Sequence, residues 1–351
     1  MVGGGRVSLS VPPSGFVAAK PVDARVNCGD GCAMTSAPSA APADAPLAAF
    51  AGAVPPAPPW FTAAMADVPE VSAITVDGAA IEVLTWGERG RPGLLFLHGN
   101  GAHAGWWRFI APFFAGEYRV VAFSWSGMGG SDHRASYSVR TFVDEIFAVI
   151  AATGLADAGP PLVVGHSFGG FPMMAAVKAR GAEFAAAVIV DTPFRGADEP
   201  GGRPPNATNR PHRVYPDLPS ALARFRFAPV QGCANPFIAD AIARGSLVEV
   251  PGTGGESEGA GGWTWRFDPY LWHRFDVGDA LQLLADPGCP VAVMWGDQSM
   301  LMPAARVAAM RDLLPPGSPA IPIPDAEHHV MVDQPLAFVA ALQRLFSGWP
   351  G

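Results

Sequence analysis

The chain has 351 residues, 49% of them apolar and 15% charged, with a formal net charge of −8. That length and apolar share can fill one large core, or a core that carries an insertion, and the acidic balance argues against nucleic acid or an anionic membrane as a partner. Nor does any run approach the ~20 apolar residues that a membrane-crossing helix needs.

From Met1 to Pro59 the sequence is rich in Ala, Gly and Pro and ends in Pro55-Pro56-Ala57-Pro58-Pro59. No helical or strand period persists there, so a disordered tail is expected over residues 1–60. A secretory leader is the alternative, but the apolar stretch after Arg6 is broken by Pro12, Pro13 and Gly15. Met34 opens a similar stretch and is an alternative start. Cys28 and Cys32 have no histidine near them, which argues against a zinc site. With Cys233 and Cys289 they make four cysteines, few for this length, so free thiols in a reducing cytoplasm are expected.

The folded part opens with a predicted hairpin: alternating runs at Val71 to Val76 and Ile81 to Trp86 flank Asp77-Gly78. Gly93 to Leu97 is a continuous apolar run, as expected of a central strand covered on both faces. It leads into His98-Gly99-Asn100-Gly101, and Trp106 to Ile110 then has helical spacing. A strand is predicted over Tyr118 to Phe123, a Gly-rich turn over Ser126 to Asp132, and a helix over Val139 to Thr153.

Next comes Pro160 to Val164, a short buried strand, then Gly165-His166-Ser167-Phe168-Gly169, then a helical stretch from Gly170 to Arg180. Strand, Gly-x-Ser-x-Gly, helix is the setting of a nucleophile elbow. A serine at such a corner sits in a strained backbone conformation, and side chains two residues to either side would clash. The following residue's N–H stands at a helix amino end, where it can face an oxyanion. Further strands are predicted at Ala185 to Val190, ending at Asp191, at Pro290 to Trp295, and at Pro319 to Ile323. Pro335 to Phe346 reads as an amphipathic closing helix.

Strands alternating with helices after a hairpin indicate an α/β fold: a mostly parallel sheet with helices on both faces. Active sites in such sheets lie beyond the carboxyl ends of the strands, and His98, Ser167, Asp191 and Asp297 all fall at or just beyond such ends. Residues 192–286 break the rhythm with a polar, Pro-rich start, two short helical pieces, a glycine-rich loop and the aromatics Trp263, Trp265, Phe267, Tyr270, Trp272 and Phe275. This segment is expected to be a cap inserted between core segments 61–191 and 287–351, shaping a pocket and excluding water. The plainer alternative is that its aromatics only pack it onto the sheet.

From Val71 to Phe346 the chain resembles the α/β-hydrolase superfamily, in particular its capped single-chain serine hydrolases. Four signals carry the resemblance, in the family's order: His98-Gly99-Asn100, the turn Gly127-Met128-Gly129-Gly130-Ser131, the elbow around Ser167, and His328 in Glu327-His328-His329-Val330-Met331-Val332-Asp333-Gln334-Pro335. The resemblance implies an eight-stranded type of sheet, Ser167 as nucleophile and His328 as general base. His329 is the competing histidine, set aside because the spacing of His328 to Asp333 and Pro335 matches the family's histidine loop. It further implies an oxyanion hole from the backbone N–H groups of Phe168 and Asn100, with the Asn100 side-chain amide as a further donor. His98, His166 and Trp263 are expected to line the substrate pocket, and neither metal nor cofactor is implied. The acid departs from the pattern, because Ser299 stands where many relatives carry it; Asp191 is the preferred candidate, with Asp297 as the alternative. Ser124 also replaces a frequent aspartate.

The implied activity is hydrolysis of a small-molecule carboxylic ester through an acyl-enzyme. A diketone C–C hydrolase and a cofactor-free perhydrolase would use the same residues, and a non-catalytic binding protein on the same fold is the alternative of another class. Serine rather than aspartate at the elbow argues against epoxide hydrolysis, whose relatives use a carboxylate nucleophile. The sequence carries no signal of oligomeric state.

Overall fold

The computed structural model describes residues 44–196, 210–252, 261–275 and 280–349. The expectations for Cys28, Cys32, the Pro-rich stretch at 201–206 and most of the glycine-rich loop lie outside the described residues.

Ten strands and eight α-helices follow one another in the described residues. Helix α1 (Pro59–Ala66) precedes the hairpin β1 (Glu70–Val76) and β2 (Ala79–Trp86). Then come β3 (Gly93–Leu97), β4 (Arg119–Phe123), α2 (Val139–Thr153), β5 (Leu162–His166), α3 (Gly170–Arg180) and β6 (Ala186–Val190). After them the chain leaves the sheet for α4 (Leu218–Leu222), α5 (Pro236–Gly245) and the ribbon β7 (Leu247–Val250) with β8 (Gly262–Trp265). It returns with β9 (Val291–Gly296), α6 (Ala304–Leu313), β10 (Ala320–Ile323), α7 (Val330–Asp333) and α8 (Pro335–Gly348).

The main sheet has eight strands in the order β1-β2-β4-β3-β5-β6-β9-β10, parallel from β4 onward. The hairpin turns at Asp77 (φ 44°) and Gly78 (φ 80°), two left-handed residues whose twist matches that of the flanking strands. Pro322 costs no ladder bond of the interior because β10 is an edge strand, paired only with β9.

The period of two along each central strand divides the core into two layers. Leu94, Phe96, Val164 and Val188 face a layer built with Trp107, Phe114, Phe338 and Leu342. Leu95, Leu97, Val163 and Ile189 face the other, with Phe142 and Ile146 of α2 and Met173 and Val177 of α3. Since both faces are covered, the strands are apolar at every position, which is why they read as unbroken runs. Helix α2 begins where the Ser138 hydroxyl accepts the Thr141 N–H and stops at Gly154 (φ 71°). No described helix is long and apolar enough to cross a membrane.

One expectation needs correcting. The composition places residues 44–60 in a disordered tail, yet Ala45 and Leu47 are buried and Gly52 O accepts a hydrogen bond from Arg244. Trp60 and Phe61 pack against Phe113, Phe237 and Phe109. Composition misleads here: the prolines do not forbid order, since Pro59 starts α1 where its missing N–H costs nothing, and a few apolar anchors hold the extended chain down.

Candidate active site

The turn after β5 brings the first candidate residue into place. Ser167 has φ 52°, a left-handed conformation, at the corner between β5 and the short 3-10 turn leading into α3. Glycine is required on both sides. A Cβ on Gly165 would sit 2.9 Å from the Gly169 carbonyl oxygen, and one on Gly169 would sit 2.6 Å from the His98 oxygen. The corner can therefore press against the end of β3 and lift Ser167 over the strand ends.

Ser167 Oγ lies 2.9 Å from His328 Nε2, and His328 Nδ1 lies 2.7 Å from Asp191 Oδ1. A carboxylate can only accept, so the Nδ1 proton points at Asp191 and the Nε2 lone pair faces the serine hydroxyl. Asp191 directly follows β6 with φ 45° and is fully buried. Its carboxylate is held from two further directions: the Ser299 hydroxyl donates to Oδ1 at 2.7 Å and the Gly296 N–H to Oδ2 at 2.9 Å. Ser299, the residue at the position where the resemblance would put an acid, thus supplies a donor to the acid on the neighbouring strand. Asp297 is exposed on the turn after β9, with its backbone N–H on the Ile323 oxygen; the structure does not bring it to His328.

The histidine loop is braced through Asp333 by Gln231 and by Asn235, two residues that sequence reasoning missed. Gln231 accepts the His329 N–H and donates to Asp333, while Asp333 accepts the Glu327 N–H. Burial pushes the Asp333 carboxyl up to about 6. Asn235 donates to the Val332 oxygen. The Gln231 and Asn235 contacts join sequence positions about a hundred residues apart, so no local pattern announces them.

Three expected pocket residues take other positions. His98 is buried, its Nε2 accepts the Trp125 N–H and its Nδ1 donates to the Gly99 oxygen, which leaves no ring nitrogen for a substrate. Burial lowers its pKa to about 3 and keeps it neutral. His166 is likewise buried and donates from Nε2 to the His328 oxygen at 3.0 Å, so it supports the histidine from behind. Trp263 is half-buried in the ribbon, where its backbone pairs with Tyr215; of the two ribbon tryptophans, Trp265 is the one in the cavity wall.

Phe168, buried, starts the helical turn after Ser167, and Gly99 lets the loop carrying Asn100 pass close by: a Cβ there would lie 3.1 Å from Ser167 Cβ. Asn100 Oδ1 accepts a hydrogen bond from Trp272 Nε1 at 2.7 Å, which ties this loop to the 192–286 segment. Beside them opens a cavity of about 350 Å³ whose walls include Asn100, Trp106, Phe227, Trp265, Phe267 and His329. The aromatics of the segment divide: Trp265 and Phe267 face the cavity, whereas Trp272 and Phe275 pack edge-on against Phe168.

The ring nitrogens of His166, His328 and His329 include a set within 4.8 Å of one another. A cation there would have to break the contacts of His328 with Ser167 and Asp191, or that of His166 with the His328 oxygen.

A serine on a strand-to-helix corner, paired with a late histidine at the carboxyl rim of a mostly parallel sheet, is the arrangement of hydrolytic enzymes. Residues 94–342 match the model of the Alpha/beta hydrolase family, and the chain belongs to that family. Over 96 residues it is 32% identical to Epoxide hydrolase 4 of Homo sapiens, a match covering 26% of this chain and 26% of that protein; it therefore spans about a quarter of that curated relative's length. Among solved structures it is similar to the thioesterase domain from the curacin biosynthetic pathway, with a TM-score of 0.63, 23% identity, and coverage of 80% of this chain and 99% of that one. An esterase from Mycobacterium tuberculosis gives a TM-score of 0.57 at 20% identity, covering 86% of this chain and 95% of that chain. At these identities the likeness shows the fold alone.

Proposed function

We propose that this hydrolase is a serine enzyme that cleaves small-molecule carboxylic esters through an acyl-enzyme. The observation that carries the reading is the hydrogen-bonded chain from Ser167 Oγ through His328 to Asp191 Oδ1, at 2.9 and 2.7 Å. Ser167 attacks the ester carbonyl as His328 Nε2 takes its proton, and Asp191 holds the imidazole in the required tautomer and stabilises the imidazolium that forms. The backbone N–H groups of Phe168 and Asn100 receive the oxyanion. His328 returns the proton to the leaving alcohol, then activates the water that releases the acid.

Asp191 is the acid in this reading, with Ser299 and Gly296 keeping its carboxylate aimed. The 192–286 segment acts as a cap, latched to the oxyanion loop through Trp272. The human relative is named an epoxide hydrolase, but opening an epoxide with a carboxylate nucleophile needs an acid at the elbow, and here that position is Ser167. Cys233 and Cys289 are free thiols, which fits a reducing compartment such as the cytoplasm.

A fluorophosphonate probe tests the assignment. Wild type should be labelled, and neither Ser167→Ala nor His328→Ala should react; equal labelling of all three would overturn it.

A further inference from the structure

The cavity beside the oxyanion loop is walled largely by aromatic rings, and two of the buried polar side chains in its wall lack partners. Trp106 Nε1 and both ring nitrogens of His329 are buried without a hydrogen-bond partner among the described residues. The two rings lie 5.2 Å apart, and His329 lies 4.8 Å from His328, whose Nε2 reaches Ser167. Phe227 covers the other side of His329 at 5.0 Å.

This is not how the chain treats its other buried histidines. His98, His103, His166 and His328 each engage at least one ring nitrogen with a partner in the protein. A histidine that only filled space among Trp106 and Phe227 would be replaceable by phenylalanine with no polar group to satisfy. His329 is also neutral, because burial, and then the nearby charge of His328 when it is protonated, push its pKa well below the ordinary value. A neutral imidazole offers one donor and one acceptor, and the indole N–H offers a donor only.

Resting on the reading of Ser167 as nucleophile, we propose that Trp106 and His329 form a specificity subsite for a neutral oxygen, a keto or hydroxyl group, on the substrate chain near the scissile ester. A keto oxygen can accept from both side chains, and a hydroxyl can accept from the indole while donating to the imidazole. A hydrocarbon chain would strip these groups of solvent and give no hydrogen bond back. A carboxylate fits less well at this depth: Arg226 donates to the Ala223 and Phe225 oxygens and faces Asp44, and Arg224 is exposed.

The test uses the full chain and matched ester pairs of equal length, one chain all-hydrocarbon and the other carrying a keto or hydroxyl group. One series varies the acyl part of p-nitrophenyl esters; the other varies the alcohol part of acetates. In at least one series wild type should favour the oxygenated ester in kcat/KM by about ten-fold. His329→Phe and Trp106→Phe should each shrink that ratio towards one, while His329→Gln, which keeps a donor and an acceptor, should retain part of it. Ser167-dependent turnover with no preference in either series overturns the subsite and leaves the ester-hydrolase reading standing. So does a preference that survives in both Phe variants, or a stronger preference for a carboxylate-bearing chain. No Ser167-dependent turnover of any ester overturns the hydrolytic reading, and the subsite with it. The comparison within wild type decides the matter even where a Phe variant fails to fold.

Discussion

Two aspartates compete in the sequence for one histidine, and distance separates them. Asp191 accepts from His328, Ser299 and Gly296 in a buried corner, whereas Asp297 is exposed. Asp191→Asn should therefore lower kcat on an activated ester by roughly 10³- to 10⁴-fold, because an amide holds the imidazole in the wrong tautomer. Ser299→Ala removes one hydrogen bond to the carboxylate and should lower kcat by about three- to ten-fold. Asp297→Asn should stay within about two-fold of wild type, as surface changes usually do. Steady-state kinetics on the three variants checks the order, and a collapse at Asp297 with activity kept at Asp191 would move the acid to the other strand. Ser167 was legible in the sequence because its rule is local: a corner that tolerates only glycine two residues to either side writes itself into five positions. The acid was legible only as a preference for Asp191 over Asp297, because the choice depends on how the ends of β6 and β9 lie side by side. Ser299 left a trace in the sequence, a hydroxyl where an acid was expected, but only the neighbouring strand explains it.

At the scale of elements, the segment between β6 and β9 reaches the oxyanion loop through Trp272. Trp272 donates to Asn100 Oδ1 and sets its ring edge-on to Phe168 at 5.2 Å, so it contacts both residues proposed to form the oxyanion hole. Trp272→Phe keeps an aromatic ring and removes the donor. It should lower kcat/KM by about three- to ten-fold, with a melting temperature within several degrees of wild type. A folded variant with unchanged kinetics would separate this latch from catalysis. Elements were read from the sequence with uneven success for a physical reason. The sheet strands and α2 follow a period imposed by the core, so their apolar runs are visible in order. The 192–286 segment follows none: Trp263 and Trp265 look alike in sequence, and only the path of the ribbon puts the second against the cavity. The chain before α1 failed in the opposite direction, since its composition reads as disorder while Leu47, Trp60 and Phe61 pack into the core.

For the molecule as a whole, the buried imidazoles around the site tie stability to pH. His98, His103, His166 and His329 all have pKa values lowered from the ordinary 6.5, in each case chiefly by burial. Below pH 6.5 the unfolded chain binds more protons at these positions than the folded chain does, so stability rises with pH through this range and is lost on acidification. Each fully effective imidazole contributes a slope of about 1.4 kcal/mol per pH unit. Asp333 acts in the opposite sense. Its carboxyl is raised to about 6, so the folded state takes up a proton first as pH falls, and this offsets one histidine between pH 6 and the ordinary aspartate range. Asp67 and Glu145, also raised by burial, act with Asp333, and His212, also lowered, acts with the other imidazoles; the imidazoles meet their ordinary pKa of 6.5 first on acidification, so the first change is a loss. The denaturant midpoint should therefore drop between pH 7.5 and pH 5, and His329→Phe should make the drop shallower by its one proton's share. A flat profile over that range would mean that these imidazoles charge freely in the folded state. The same slope predicts how the protein fails in acid: secondary structure and activity should be lost together, because the unfolded chain takes up protons at the buried imidazoles that the folded chain resists.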